Sequence, residues 1–239
     1  NPRLVIEIVR VVLGLTLLAG LWTTFCPAAP TETQTAKEIG MDAGPNGDRR
    51  TQDRRPTPPG TPVQTPQGLI FPQAVVTDPA YGADPTGRVD SAPAVQAAIE
   101  AVRKAGGGVA YIPPGAYRMD APITVRGTVT LTGAWNRPEP GTPFKGTLLL
   151  VYPGRDDPDG TPFIETQPHT QGQVMNLAFY YPEQRMDDIR PYPWTLRGSV
   201  SQIRNITLFN SYRGIDMDPM SGSSVSSIYG CVLEKGIRL

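Results

Sequence analysis

The sequence has very few of the side chains that bind zinc or act as general bases near neutral pH. Among 239 residues there is one histidine, His169, and there are two cysteines, Cys26 and Cys231. A tetrahedral zinc site needs three or four such ligands, so a Cys/His zinc site is effectively excluded. A Ser/His/Asp triad would have to use His169, which is predicted to lie in a surface loop.

Neither sign of charge is in excess, because 22 Lys and Arg residues balance 22 Asp and Glu residues. Without a basic excess, nucleic acid is not expected as a partner. Long helical patterns are also scarce. The 25 glycines and 27 prolines favour turns and linkers instead.

An uncharged and mostly apolar run occupies residues 11–25 (VVLGLTLLAGLWTTF), with two arginines before it and two alanines shortly after it. Basic, apolar and small residues in this order are typical of a secretory signal. The run is shorter than the roughly 20 residues that span a bilayer. We therefore predict that residues 1–29 are a signal peptide or, alternatively, a membrane anchor through residues 4–25. Either assignment predicts a secreted, periplasmic or cell-surface protein.

The next segment, residues 30–68, is rich in Thr, Pro, Gly, Gln, Asp and Arg and poor in apolar residues. Such a composition buries too little surface to offset the chain entropy lost on folding, so a disordered Pro-rich linker is predicted. Residues 69–239 form the predicted folded domain. This domain ends within an alternating apolar-polar run, which leads us to expect a domain truncated at its C-terminus.

One helix is predicted, at residues 91–105. Either Asp90 or Ser91 can accept hydrogen bonds from the first turn, and Gly106 can end the helix in a left-handed conformation. Apolar side chains at i, i+3, i+4 and i+7 would share one buried face: Val95, Ala98, Ile99 and Val102.

The rest of the domain is predicted to consist of short strands, at residues 109–112, 117–119, 123–125, 129–131, 148–151, 174–179, 203–208, 225–228 and 232–233. The segments at 174–179 and 203–208 repeat one pattern, with apolar residues at positions one, four and six and an asparagine at position three. Self-similarity at this period indicates a solenoid. Asn176 and Asn205 are predicted to stack at a corner of the coil and to bond backbone groups of neighbouring rungs.

Four spaced segments carry a resemblance to a known family: residues 78–87 (DPAYGADPTG), 90–91 (DS), 95–99 (VQAAI) and 106–117 (GGGVAYIPPGAY). In this order they resemble the N-terminal entry of the pectate-lyase-like superfamily. The resemblance is closest to the group of polygalacturonase-related glycoside hydrolases, exo-glucanase-like proteins and phage tailspikes. It implies an all-β fold, a right-handed parallel β-helix (a single-stranded solenoid) with an N-terminal capping α-helix.

In that family the helix covers the open end of the coil, where backbone groups of the first rung would otherwise be unpaired. Gly82, Asp84 and Gly87 are expected to shape the turn before the helix. These residues are expected to serve the fold and not to contact a substrate.

Hydrolysis of a glycosidic bond requires two carboxyl groups, about 5–5.5 Å apart in retaining enzymes and about 6.5–9.5 Å apart in inverting ones. Residues i and i+2 of a strand lie roughly 6.6 Å apart on one face. Asp216 and Asp218 have this spacing and are candidate catalytic residues of the inverting kind. The alternative is that both are solvated in a turn before Pro219.

A second candidate catalytic pair is Asp187 and Asp188. Polygalacturonases also carry adjacent aspartates, but together with an upstream Asn-x-Asp and downstream His-Gly and Arg-x-Lys elements that do not occur in order here. The family's catalytic roles are therefore not transferred. The alternative is a set of local ion pairs with Arg185 and Arg190, which stabilise a surface little.

Aromatic residues flank this acidic stretch, and residues 180–194 are predicted to form a long loop on a rung. Exposed rings can stack on the apolar faces of sugars, and loops on rigid scaffolds often carry function. Tyr181, Tyr192, Trp194 and Arg190 are therefore candidate substrate-binding residues. The alternative is that the rings pack the loop onto the coil.

Together these features predict an exported enzyme that acts on a polysaccharide or oligosaccharide, with a glycoside hydrolase favoured over a polysaccharide lyase. A non-catalytic carbohydrate-binding or surface-attachment β-helix is the alternative. No cofactor or metal is predicted; calcium, which acidic oxygens bind, is left open only if the protein is a lyase.

Overall fold

The computed structural model describes residues 62–64, 70–167, 171–217 and 223–239. One helix, α1 (Ala92–Lys104), occurs within these ranges. The strands are β1 (Pro62–Gln64), β2 (Ile70–Val75), β3 (Thr86–Asp90), β4 (Gly108–Ile112), β5 (Gly115–Met119), β6 (Ile123–Val125), β7 (Val129–Gly133), β8 (Thr147–Val151), β9 (Ile164–Thr166), β10 (Gln173–Tyr180), β11 (Trp194–Gly198), β12 (Gln202–Met217) and β13 (Ser224–Arg238).

Strands from successive turns of the chain pair in parallel and build three faces. Sheet 1 contains β2, β4, β7 and the first parts of β10, β12 and β13. Sheet 2 contains β3, β5, β8 and the following parts of the same three strands. Sheet 3 contains β6, β9, β11 and the last parts of β12 and β13. The chain is thus an all-β, right-handed parallel β-helix, as predicted.

The core consists of inward-facing rows in which equivalent residues of successive rungs stack. Because side chains of a strand alternate between its two faces, every second residue of a strand points outward. All of the following stacked residues are buried: Ala74, Ala110, Leu131, Val174 and Ile203 in sheet 1; Tyr117, Leu149, Phe179 and Leu208 in sheet 2; and Ile123, Ile164, Leu196 and Ile215 in sheet 3.

The corner between sheets 1 and 2 is a sharp turn centred on an asparagine. Asn176 and Asn205 have φ of 60° and 54°, a left-handed conformation that asparagine tolerates better than most residues. The Asn205 amide donates to Asn176 Oδ1 at 2.8 Å, and the Asn176 amide donates to Thr132 Oγ1 at 3.0 Å. The predicted stacking is confirmed, but the bonds join side chains and not backbone groups as predicted.

Helix α1 begins and ends close to its predicted bounds. Of the two candidate caps, Asp90 accepts the bond, from the backbone N–H of Ala92 at 3.0 Å, and Ser91 forms no side-chain cap. Gly106 follows the helix with φ of 95°. The predicted face of Val95, Ala98, Ile99 and Val102 is fully buried against the coil.

The turn before β3 is organised by Asp84. Its carboxylate accepts bonds from the hydroxyl of Thr86 and from the backbone N–H groups of Thr86, Arg88 and Val89. Gly82 and Gly87 flank it, both with φ of 74°. The expected turn-shaping role of these three residues agrees with this geometry.

One described strand lies within the segment predicted to be a linker. Pro62–Gln64, assigned by composition to the linker of residues 30–68, forms β1 and pairs antiparallel with β2. Backbone hydrogen bonds form this pairing, and amino-acid composition alone does not predict such bonds. The predicted leader, the other linker residues and His169 lie outside the described ranges. Within those ranges, no helix combines the length and the apolarity needed to cross a bilayer.

Candidate functional site

Two long loops leave the corner between sheets 2 and 3 on neighbouring rungs, at residues 152–163 and 181–193. The backbone N–H of Asp156 donates to the carbonyl of Pro191 at 2.8 Å. Ion pairs add two side-chain links, between Arg155 and Glu183 at 3.3 Å and between Arg190 and Asp156 at 3.6 Å. The two segments are therefore one paired structure, which we call the paired loops.

Tyr181 and Tyr192 lie at the base of the paired loops, and their side chains are 1% and 0% exposed. Their rings meet edge to face with centroids 4.9 Å apart. The Tyr181 hydroxyl bonds to Thr195 Oγ1 at 2.8 Å. Burial raises the pKa of Tyr192 to about 12 and raises the pKa of Tyr181 further still. The predicted sugar-stacking role requires exposed rings, so for these two tyrosines the packing alternative describes the structure.

Trp194 and Arg190 occupy different surroundings. Trp194 begins β11 and is 5% exposed, with the guanidinium of Arg238 lying 5.2 Å from its ring centroid. Trp194 is therefore covered and offers little ring surface to a sugar. Arg190 is partly exposed on the paired loops, where it also pairs with Asp188 at 3.2 Å.

The acidic pair Asp187 and Asp188 is exposed and forms local ion pairs. Asp187 pairs with Arg185 at 3.0 Å, and the Arg185 hydrogen bond holds the pKa of Asp187 below its ordinary value. Asp188 pairs with Arg190. The local ion-pair alternative is therefore what the structure shows, and within the described ranges no ion pair or hydrogen bond joins either carboxylate to Asp216.

Asp216 lies on the outer face of sheet 3, between Arg197 and Arg238 in the strand register. Arg238 donates Nε and Nη2 to the two carboxylate oxygens, each at 2.5 Å, and Arg197 Nε approaches Oδ2 at 3.3 Å. Asp216 is only 5% exposed. We call Arg197, Asp216 and Arg238 the Arg–Asp–Arg ladder.

This arrangement bears on the predicted catalytic pair. A general acid or base must reach the proton that it transfers, but both oxygens of Asp216 already accept bonds from arginine. Asp218 lies outside the described ranges, so the pairing of Asp216 with Asp218 stays a prediction.

A surface that was not predicted lies on the outer face of sheet 2. We call it the aromatic face; it consists of six partly exposed aromatic residues: Trp135, Phe144, Tyr152, Tyr180, Phe209 and Tyr229. Trp135 and Phe144 belong to the loop of residues 134–146, which folds over this sheet. The Trp135 indole N–H donates to Thr207 Oγ1 at 2.8 Å.

The rings of the aromatic face are held by contacts with one another and with arginines. Ring centroids lie 5.6 Å apart both for Trp135 with Tyr229 and for Phe144 with Phe209. Arg118 lies 4.6 Å from the centroid of Tyr152, a cation–π contact. The sequence contained a signal for this face, because Tyr180 and Phe209 follow the buried Phe179 and Leu208 at equivalent places of the repeat.

Metal binding finds no support in the described ranges. No group of three or more His, Cys, Asp or Glu side chains is placed there to hold an ion.

Comparison with known proteins gives one family match and two curated relatives. Residues 76–237 match the family described as "Rhamnogalacturonase A/epimerase, pectate lyase-like". An alginate lyase of Azotobacter vinelandii is 39% identical over 61 residues, which is 23% of this chain and 7% of that protein. A mannuronan C5-epimerase of the same organism is 44% identical over 61 residues, with the same coverage. The chain therefore spans only a small part of these relatives, and no solved structure matches it significantly.

Proposed function

Because this chain belongs to the rhamnogalacturonase A/epimerase, pectate lyase-like family, we propose that it is a carbohydrate-active protein that acts on a polysaccharide. The observation that carries the proposal is the aromatic face. Six partly exposed rings share one outer surface of a rigid coil, and rings of this kind present apolar faces on which sugars stack. The names of the two relatives, which refer to alginate and mannuronan, support a polysaccharide as the ligand.

The coil gives the rings a spacing that suits a polymer. Tyr180 and Phe209 directly follow the register pair Phe179 and Leu208, so these two rings lie on neighbouring rungs about 4.8 Å apart along the coil axis. That distance is close to the length of one sugar unit. A glycan chain lying along the axis would therefore meet one rung per sugar.

The expected reaction is glycoside hydrolysis. Elimination and epimerisation are the alternatives, because the two relatives are named as a lyase and an epimerase. The three activities differ in products, so the full chain should be incubated with plant, algal and bacterial polysaccharides. New saturated reducing ends indicate hydrolysis, unsaturated ends indicate elimination, and changed sugar composition at constant chain length indicates epimerisation. Absence of turnover on all polymers would refute an enzymatic role.

A non-catalytic glycan-binding protein is the second candidate, and a specific observation favours it. Asp187, Asp188 and Asp216, the candidate acids that the structure describes, are all ion-paired with arginine. Retained glycan binding without turnover would support this candidate. For either candidate we propose that the protein is exported, on the strength of the apolar run at residues 11–25.

Binding to the aromatic face is tested by Tyr180→Ala and Phe209→Ala. Each change removes one ring, and a contact of about 0.5–1.5 kcal/mol corresponds to a roughly two- to tenfold weaker affinity for the polysaccharide. Isothermal titration calorimetry measures this change. Met175→Ala is the matched control, because Met175 faces outward from the same strand but on sheet 1. Equal losses for all three variants would contradict the assignment of the aromatic face.

A further inference from the structure

The Arg–Asp–Arg ladder contains two cations and one anion. Arg197 and Arg238 flank Asp216 on the outer face of sheet 3, so their charges exceed that of the carboxylate by one. The ladder and the aromatic face are both on the outside of the coil, but the ladder lies on sheet 3 and the aromatic face on sheet 2. The paired loops leave the corner between these two sheets.

The arginines also have hydrogen-bond donors to spare. A guanidinium carries five N–H groups. Arg238 uses Nε and Nη2 on Asp216, and Arg197 approaches it with Nε, so among the described residues three of their four terminal nitrogens have no hydrogen-bond partner. The side chains of Arg197 and Arg238 are 52% and 58% exposed, which lets solvent and ligands reach these nitrogens.

Asp216 and Trp194 fix the position of the arginines. Asp216 is nearly buried and bidentately bonded to Arg238, and planar pairs of this kind are among the most directional contacts in proteins. Trp194 lies beneath the same guanidinium. Two arginines that would otherwise move freely at a surface are thereby held on either side of Asp216, on strands β11 and β13, which flank β12 and lie about two strand spacings, roughly 9.6 Å, apart.

We propose that the ladder is an anion-binding site that takes the carboxylate of an acidic polysaccharide, which rests on the proposed function, with Asp216 as a positioning residue and not a catalytic one. The chemistry is recognition of an oxyanion by two prealigned guanidinium groups, which match a carboxylate geometrically. Glu165 is the group that opposes binding. It is exposed and lies beside Arg197 in the register, but no ion pair joins the two in the described part of the chain.

The test compares binding of a polyuronate with binding of its uncharged methyl ester, using the full chain at low ionic strength. Arg197→Gln and Arg238→Gln should each weaken polyuronate binding about tenfold and leave ester binding unchanged. Glu165→Gln should strengthen polyuronate binding. Arg204→Gln removes the same charge from the outer face of sheet 1 and should have little effect. Thermal unfolding confirms that each variant is folded.

The variant Asp216→Asn tests whether Asp216 positions the two arginines or only neutralises their charge. If Asp216 only cancelled charge, its removal would raise polyuronate affinity; if it positions the arginines, affinity falls although the site becomes more positive.

The proposal is overturned if Arg204→Gln weakens binding as much as Arg197→Gln, or if the ester binds as well as the acid. It is also overturned if inorganic sulfate binds the ladder and the polymer does not displace it, since the site would then take a free ion. The inference stands or falls separately from the aromatic face, which lies on another sheet.

Discussion

At the turn before β3, four backbone or hydroxyl donors converge on the single carboxylate of Asp84. Partial burial alone would raise the pKa of Asp84, but hydrogen bonds from Thr86, Val89 and Arg88 outweigh it and hold the pKa below its ordinary value. A depressed carboxyl pKa contributes stability that is present above the unfolded-state pKa, near 3.9, and is lost as the pH falls through the folded-state pKa.

We therefore expect Asp84→Asn to destabilise the fold most near neutral pH. An asparagine would point an N–H toward donors that now meet an acceptor, so the variant should unfold at lower urea concentration at pH 7. The difference in free energy of unfolding between the two proteins should narrow as the pH drops below about 4, because the unfolded chain then binds a proton at residue 84 while the native carboxylate is still ionised, and the stabilisation is lost completely once the native carboxylate is protonated too. Urea titrations at several pH values measure this gap. The exposed loop carboxylate of Asp157 provides a matched control as Asp157→Asn, and a gap that does not depend on pH would contradict the expectation.

Single residues also show what the sequence can reveal. Asn176 and Asn205 recur at one position of a repeated pattern, so their stacking was predictable. The partners of Asp216 were not, because Arg197 and Arg238 come from other rungs and meet it only through the strand register. Local spacing suggested an acid pair on one strand, and the contacts that decide the chemistry of Asp216 run between strands.

Among the elements, the paired loops are where prediction and structure differ most. Their aromatic residues were candidate sugar contacts, but Tyr181 and Tyr192 are both buried. The hydroxyl groups of these two tyrosines differ in whether they have a hydrogen-bond partner. Thr195 Oγ1 donates to the carbonyl of Arg213 at 2.8 Å, so the Tyr181 hydroxyl donates to Thr195. The buried Tyr192 hydroxyl has no hydrogen-bond partner within the described ranges.

Because of this difference, we expect removal of the hydroxyl group to change the free energy of unfolding differently at the two tyrosines. Tyr181→Phe removes a buried hydrogen bond and should lower the free energy of unfolding by about 1 kcal/mol. Tyr192→Phe removes a buried hydroxyl without a partner and should leave stability unchanged or raise it. Each variant is the control of the other, since both keep the ring. Urea denaturation measures the free energy of unfolding of both variants. Equal losses of stability would show that the Tyr192 hydroxyl has a hydrogen-bond partner.

Regular elements were easier to predict where the apolar pattern is strong. The helix was found nearly in place from apolar residues at i, i+3, i+4 and i+7, and the strands β4 to β8, β10 and the first part of β12 were found from the alternation of their inward residues. Strands β1, β2, β3, β9 and β11 and the sheet 3 part of β12 were not predicted. Trp194 follows a Tyr-Pro dipeptide typical of loops, and Gly214 and Asp216 interrupt the alternation, although parallel pairing makes these segments extended.

On the scale of the whole molecule, each rung is stabilised by the rungs on either side of it. In such a solenoid, stability is approximately a sum of rung terms and nearest-neighbour contacts. Strand β10 pairs with β7 and β8 on one side and with β12 on the other. Strand β13 has a partner on one side only in the described part of the chain, and its inward residues Val225, Ile228 and Val232 are only partly buried.

We therefore expect amide hydrogen exchange to be graded along the coil in the 239-residue chain. Amides of β13 should exchange by local opening, whereas those of β10 should require an opening close to global unfolding. Mass spectrometry of peptides covering 173–180 and 224–238 measures both rates under native conditions. Leu177→Ala, at a fully buried position of β10, removes contacts worth about 2–5 kcal/mol and should speed exchange in β10 and its neighbours. Equal protection of β10 and β13 would contradict the nearest-neighbour account, since it would show that the coil opens as one cooperative unit.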